Sequence, residues 1–462
     1  MKFGGTSVGD AEAIRRTATI LERHHSLEPV VAVVSAMSGV TNMLLGCGDA
    51  AVAGDSDAVE TARALILAPH RRALSELVPG GERRRRTGAA LGSLVDEVAR
   101  LLYSVYVLRE MSPRARDRLV SFGERMSSII VAAYLNEIGV AAEAVESDRL
   151  IVTDGVFGNA SPMLEDTRRR AAAVLTPLIG AGVLPVVTGF FGATADGLTA
   201  TLGRGGSDFS ASILGNAADA SEVWIWTDVD GVMTADPRIV PDARTLDTIS
   251  YSEATELAYF GAKVIHPKTM YPAEEREIPI WIKNTFAPEA AGTRIASETD
   301  GATSAKAIAS ISGLAVVTVE GRGLIDVSSV TARIFSAIAR TEVNVYMISQ
   351  ASSQHSVSFL VNGSDRKLVH YALADEFRED LEHQRVLSIS DDQDVAIVAV
   401  VGAGMRGTPG VAGRVFGTMG DEGINVVAIA QGSSELNISF VVDESNVASA
   451  VRALHRVFVA AG

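Results

Sequence analysis

Over the first 300 or so residues, short apolar runs alternate with stretches of helical periodicity. "VVAVVSA" (30–36), "GVLPVVTGFFG" (182–192) and "SEVWIWTDVDG" (221–231) each end in small or polar residues and lead into a helix-like segment. Continuous apolar runs of this length predict strands buried on both faces of a parallel sheet, and so an α/β layer fold. Ligands of such sheets gather beyond the carboxyl ends of the strands. Between about 55 and 140 the pattern is mostly helical, as in "DEVARLLYSVYVLREMS" (96–112), which predicts a helical insertion or lid beside the sheet.

The last third contains a repeat. "VNVYMISQASSQHSVSFLV" (343–361) aligns without a gap with "INVVAIAQGSSELNISFVV" (424–442), and the matching glutamines, Gln350 and Gln431, are 81 residues apart. Each copy reads strand, helix, strand, strand, helix, most of a ferredoxin-like βαββαβ unit. The second copy ends almost at once after its last helix. "KAIASIS" (306–312), ahead of the first copy, is the segment expected to supply the missing strand, which would insert the first module into the second.

A chain of 462 residues, 47% hydrophobic and 21% charged, has material for two or three domains with their own cores. No apolar stretch approaches the roughly 20 residues that span a bilayer, and the N-terminus lacks the pattern of a signal peptide, so a cytoplasmic location is expected. The lone cysteine, Cys47, rules out an intramolecular disulfide framework and is expected to be buried. A formal charge of −15 argues against nucleic acid or membrane partners; the Arg83–Arg86 cluster reads as a solvated helix face or loop. Only six of the 41 basic residues are lysine, among them Lys2 and Lys263. Where arginine is the habitual cation, a retained lysine points to a need for a compact ammonium.

Three polar turns carry the chemistry. "LGRGGSDFSASILG" (202–215) places glycines at the start of a helical run, where unpaired N–H groups and the helix dipole make an anion site. Asp208 alone would read as a helix cap. "KFGGTSVGD" (2–10) is a second glycine turn with a lysine before it, and "WTDVDGVMTADPR" (226–238) a third loop after a strand. Neither glycine turn is a GxxxxGK[ST] or GxGxxG fingerprint, so the phosphate cradle is of another type. Asp230 and Asp236 read as turn formers, and Trp224 and Trp226 as sheet packing.

These segments, with "VVSAMSGVTNML" (33–44), "SFGERMSS" (121–128) and "FGAKVIHPKTM" (260–270), occur in an order that resembles the aspartokinase family, of the monofunctional type with tandem C-terminal ACT domains. The resemblance implies an amino acid kinase fold, a three-layer α/β/α arrangement with a mostly parallel open sheet over 1–300. Two ferredoxin-like ACT domains would follow at 313–390 and 393–462, the second completed by the strand at about 306–312. It implies transfer of the ATP γ-phosphoryl group to the β-carboxylate of L-aspartate, with Mg2+ bridging the phosphates and its protein ligands unassigned. The chain ends with the second module, so no homoserine dehydrogenase domain is expected after it.

By the same resemblance, Lys2 neutralises the β- and γ-phosphates, and Gly4 and Gly5 let the backbone approach them. Arg204 clamps a substrate carboxylate, Glu124 and Asp208 face the substrate ammonium, and Asp208 also holds Lys2. Ser35, Thr41, Phe190, Gly205, Gly206 and Ser207 complete the amino acid pocket. Thr227, Asp228, Arg238 and Lys263 match nucleotide-contacting positions. Met233 stands where the family commonly has a tyrosine, leaving only an apolar contact. The first strand of the family usually begins several residues earlier, so either this chain starts late or Lys2 hangs on a shortened edge of the sheet, and weakened order around Lys2 is expected. Since the attacking carboxylate is ionised at neutral pH, no general base is required.

Asn344 with Gln350 and Asn425 with Gln431 recur at one spacing in the two modules, and an amide both donates to a carboxylate and accepts from an ammonium. The resemblance implies an ACT-mediated homodimer or homotetramer that binds an end-product amino acid. "ISQASS" and "IAQGSS" are more similar to threonine-sensitive members than to lysine-sensitive ones, with Asp326 the residue that leaves a lysine site open. Two rival readings are a kinase for another amino acid, such as glutamate, and a non-catalytic amino acid sensor with a degraded kinase domain.

Overall fold

The computed structural model describes residues 1–261, 265–297, 305–321, 327–350 and 356–459. The chain divides into two compact units. The first comprises Met1–Val232, Asp247–Tyr251 and Lys263–Thr299, and the second Met233–Leu246, Ser252–Ala262 and Asp300–Gly462.

The chain begins with β1 (Lys2–Phe3), α1 (Ala11–His25), β2 (Ala32–Val34), α2 (Val40–Ala53), α3 (Ser56–Leu77), α4 (Gly81–Leu108) and α5 (Pro113–Glu137). There follow β3 (Ala142–Val145), β4 (Val152–Thr153), α6 (Leu164–Gly180), β5 (Leu184–Thr188), β6 (Phe191–Thr194), β7 (Thr199–Thr201), α7 (Gly206–Ala217) and β8 (Val223–Thr227). Next come β9 (Thr248–Ser250), α8 (Tyr251–Tyr259), α9 (Pro267–Glu274), β10 (Ile280–Asn284) and β11 (Thr293–Ala296). Eight of these strands form one sheet in the order β3-β5-β2-β1-β8-β10-β11-β9, parallel throughout except between β10 and β11. β4, β6 and β7 make a small second sheet.

The expectation that Lys2 sits on a weak edge is overturned. β1 lies inside the sheet, paired to β2 on one side and β8 on the other, with Lys2 opposite Val33 and Ile225. Two residues are held there because Phe3 is fully buried and stacks on Trp226, ring centroids 6.0 Å apart. In α3 and α4, Ile66, Leu74, Leu91, Val95, Val98 and Leu102 recur at helical spacing and join one core with Phe3, Val34 and Val186. The opposite face of α4 is solvated: Arg85 and Arg86 pair with Glu82 on the surface. Cys47 is buried.

In the second unit, β12 (Ala307–Gly321) is followed by α10 (Val327–Ala339), β13 (Met347–Gln350), β14 (Ser356–Asn362), α11 (Arg366–Glu376), α12 (Arg378–Glu382) and β15 (Val386–Val401). Then come α13 (Val411–Asp421), β16 (Ala428–Ala430), β17 (Asn437–Asp443) and α14 (Val447–Phe458). The six strands form a sheet in the order β13-β14-β12-β15-β17-β16. β12 and β15 pair antiparallel along their length, with register shifts around Leu314. Leu314–Glu320 also pairs with β14, so that half of β12 serves the first repeat. Ala307–Ile311 runs against Val401–Ile397, and so borders the second repeat. Each repeat has its own core, one around Val317, Ile334, Phe359 and Phe377, the other around Ile308, Val398, Phe440 and Leu454. Ala235 and Val240 pack into the latter, and the Thr234 hydroxyl lies 2.9 Å from His455 Nε2.

Candidate active site

The carboxyl ends of β1, β2, β5 and β8 deliver four turns to one cleft of about 560 Å³. After β1, Gly4 N–H donates to the Trp226 carbonyl at 3.3 Å and the chain coils at Gly5–Ser7. A Cβ on Gly5 would lie 3.2 Å from the Ala36 carbonyl, so the turn after β1 abuts the turn after β2. Lys2 reaches in from β1, 8% exposed, and its Nζ meets Asp208 Oδ1 at 2.5 Å. Asp208 therefore does not cap α7; it holds the lysine.

The turn Gly203–Gly205 leads into α7, with φ of +80° at Gly203 and +68° at Gly205, a region that favours glycine. It leaves Arg204 exposed, with no ion-pair partner among the described residues. Burial, then Lys268 and Arg204, depress the His266 pKa, in keeping with a cationic surround for this turn. Phe190 closes the cleft from β5 with φ of +76°, its N–H bonded to Ser210 Oγ at 2.9 Å. A non-glycine residue in this conformation is a strained feature of the kind that concentrates at functional sites. Gly206 accommodates it: a Cβ there would lie 2.7 Å from Phe190 Cδ2.

Glu124 projects from α5, which approaches the Ala36 turn so closely that a Cβ on Gly123 would fall 2.7 Å from Ala36 Cβ. Glu124 Oε1 accepts the Ala36 N–H at 3.0 Å, while the buried Oε2 has no hydrogen-bond partner among the described residues. Burial pushes its pKa up to about 8, against smaller lowering by the Ala36 N–H and Arg125. A buried, half-satisfied carboxyl facing a cleft is arranged to receive a cation or donor.

Ser35, Thr41, Gly205, Gly206 and Ser207 line the same cleft, as do Gly4, Gly5, Thr227 and Asp228 at its other side. Thr227 Oγ1 donates to Asp228 Oδ1 at 3.2 Å. Met233 and Arg238 belong to the second unit, Met233 beside Thr245 and Arg238 paired to Asp236 at 2.6 Å, which keeps Asp236 in a turn. Lys263 lies outside the described residues, as does Asp326. Asn344, Gln350, Asn425 and Gln431 are all exposed in the second unit.

Sequence reasoning passed over the backbone of Ala36–Gly39 and Thr6, which also line the cleft. The small residues of "SAMSG" were the available signal. It also passed over Asp117, whose carboxylate accepts the N–H groups of Gly158 and Thr201 at 2.8 and 2.7 Å.

The cleft gathers the cations Lys2 and Arg204, glycine-turn backbone and the buried acid Glu124, a set suited to a small zwitterion next to a polyphosphate. The amino acid kinase family model matches residues 1–284, and the ACT domain model matches 317–377 and 398–458. The chain is 37% identical over 464 residues to bifunctional aspartokinase/homoserine dehydrogenase 1, chloroplastic, of Arabidopsis thaliana, covering 99% of this chain and 50% of that protein. It thus spans about half the length of the bifunctional relatives it matches. Aspartokinase 1, chloroplastic, of the same plant is 35% identical over 471 residues, covering 100% of this chain and 80% of the relative. Among solved structures, E. coli aspartokinase III in complex with aspartate and ADP superposes with a TM-score of 0.80 at 30% identity, covering 98% of both chains. The same enzyme in complex with lysine and aspartate gives 0.84 at 30% identity, over 99% of this chain and 98% of that one. With kinase and tandem regulatory regions both matched, and a solved member aligned over nearly its whole length, the chain belongs to the aspartokinase family.

Proposed function

We propose that the chain is an aspartate kinase, transferring the ATP γ-phosphoryl group to the β-carboxylate of L-aspartate to give 4-phospho-L-aspartate and ADP, the first step towards lysine, threonine and methionine. The observation that carries this reading is the presence, in one cleft, of a buried carboxyl oxygen on Glu124 and a guanidinium on Arg204, neither of which has a partner among the described residues. An α-amino acid presents the complementary ammonium and carboxylate. A β-carboxylate oxygen attacks the γ-phosphorus, the bond to the β–γ bridging oxygen breaks, and ADP leaves; no proton has to move. Catalysis is then positioning and charge stabilisation. Lys2, oriented by Asp208, neutralises the transferring group, and the N–H groups of Gly5, Gly205 and Ser207 are offered to phosphate oxygens, those of Gly4 and Gly206 being taken up by the Trp226 and Gly203 carbonyls.

Among the described residues no group of three or more His, Cys, Asp or Glu is placed to hold a metal. Mg2+ commonly binds through substrate phosphates and one or two carboxylates, and the cleft has Asp208 and Asp228 for that. The residues therefore fit an ion carried in on ATP, where it would neutralise phosphate oxygens.

The second unit is read as a tandem ACT regulator that binds threonine in preference to lysine, through Asn344, Gln350, Asn425 and Gln431. Its edge strands β13 and β16 expose Ile348 and Ile429, which supports pairing with a second chain into a homodimer or homotetramer. No described helix is long and apolar enough to cross a membrane, and the enzyme is read as cytoplasmic. The test is ADP release from Mg-ATP in the presence of L-aspartate, glutamate or acetylglutamate. Release with aspartate alone is expected, falling by about 10²-fold or more in Lys2→Ala. A chain that turns over glutamate equally well, or none of the three, refutes the reading.

A further inference from the structure

Helix α5 carries two buried carboxyl groups seven residues apart, Asp117 and Glu124. Seven residues make close to two turns, so both project from one side of the helix. Glu124 enters the cleft. Asp117, 2% exposed, does not line it, and holds backbone instead. Its Oδ2 accepts the N–H groups of Gly158 and Thr201, and its Oδ1 accepts the Thr201 hydroxyl at 2.8 Å.

Both anchored segments support the arginine turn. Thr201 ends β7, two residues before Gly203, and its carbonyl accepts the Ala160 N–H at 2.9 Å. The Gly158–Asn159 backbone lies directly against Gly203, where an added Cβ would fall 2.8 Å from Asn159 Oδ1 and 3.3 Å from the Gly158 carbonyl. Lys268 Nζ pins Asn159 Oδ1 at 2.7 Å. Since Arg204 has no ion pair of its own among the described residues, the backbone of this turn is what fixes the root of its side chain and so the space its guanidinium can reach. A bidentate arginine–carboxylate contact needs two parallel N–H···O bonds and tolerates little displacement.

We propose that Asp117 is the positioning residue for Arg204 and, through it, for the α-carboxylate of the amino acid substrate. This rests on the reading of the cleft as an aspartate site. Replacing the carboxylate by an amide sets a donor or a weaker acceptor against the converging N–H groups, and the turn relaxes. Lys2 and Thr227, carried on β1 and β8, are left in place.

The test is steady-state kinetics of Asp117→Asn, Thr201→Val, Arg204→Ala and the Asp117→Asn/Arg204→Ala double variant. Asp117→Asn is expected to raise KM for aspartate about 10- to 100-fold, the effect of losing a charge-assisted bond, with kcat within about threefold and KM for ATP unchanged. Thr201→Val, which removes only the hydroxyl contact, moves KM for aspartate the same way by about three- to fivefold, and decides the matter should Asp117→Asn not fold. In the Arg204→Ala background, Asp117→Asn is expected to add less than about twofold, because coupled residues are not additive. Equal multiplication of KM in both backgrounds, or a joint fall of kcat with both KM values altered alike, overturns the role of Asp117 and leaves the kinase reading standing. No aspartate-dependent ADP release from the unsubstituted chain overturns both.

Discussion

A carboxyl group sealed beneath the Ala36 turn ionises at a cost that substrate can relieve. With burial raising Glu124 from 4.5 to about 8, the folded protein holds more protons than the unfolded chain between those two values. Stability contributed by the neutral form is complete below about 4.5 and is lost as pH rises towards 8. An arriving ammonium requires the ionised form, so the proton leaves on binding. KM for aspartate is therefore expected to fall as pH rises from about 6.5 to 8.5, with up to one proton released per aspartate bound below pH 8. Titration calorimetry in buffers of different ionisation enthalpy reads that release. Glu124→Gln is expected to flatten the KM profile and abolish the proton release, and an unsubstituted chain that releases no proton removes Glu124 as the ammonium partner in this form. At this scale the glycine turns were legible because phosphate chemistry needs bare backbone, and Lys2 because lysine is scarce. Asp117 was not, since its partners lie 41 and 84 residues away, and two of the three are backbone groups that any residue has.

The elements themselves were legible in proportion to their length. Helices α3 to α5 show their period and the five-residue strands β5 and β8 their continuous apolar runs, whereas β1, β4 and β7, of two or three residues, are too short to carry a pattern. The expectation of a weak edge at Lys2 failed for that reason: strand length was taken for strand security, when Phe3 on Trp226 supplies the hold. In the second unit, Ile308 is 2% exposed, opposite Val400, in the core of the second repeat. Ile308→Asp would bury a charge without a partner and is expected to cost about 3–5 kcal/mol. Hydrogen exchange should show protection lost in Ala396–Val401, β17 and α14 but kept in β13 and β14. Loss beginning in the first repeat would mean that Ala307–Ile311 does not serve the second.

At the scale of the whole chain, the net charge of −15 and the exposed amides of the repeats direct attention to a small effector. Threonine at millimolar concentration is expected to inhibit ADP release, with lysine at the same concentration without effect. Gln350→Ala and Gln431→Ala are each expected to weaken that inhibition. Inhibition by lysine alone would transfer the reading to Asp326. The repeat at a constant offset made the ACT region visible in one sequence, because two copies of a module corroborate each other. The kinase region, with no copy to compare, was visible only through its polar turns.

Ala307–Ile311 leaves the ribosome ahead of the first repeat, yet the strand it lies against, Ala396–Val401, is made only after that repeat is finished. A contiguous excision confined to the later copy would thus omit one border of its sheet and leave an unpaired flank on β15. Anyone grafting these repeats onto another protein has to move both copies as one cassette, or relocate the early segment to the far end by permutation.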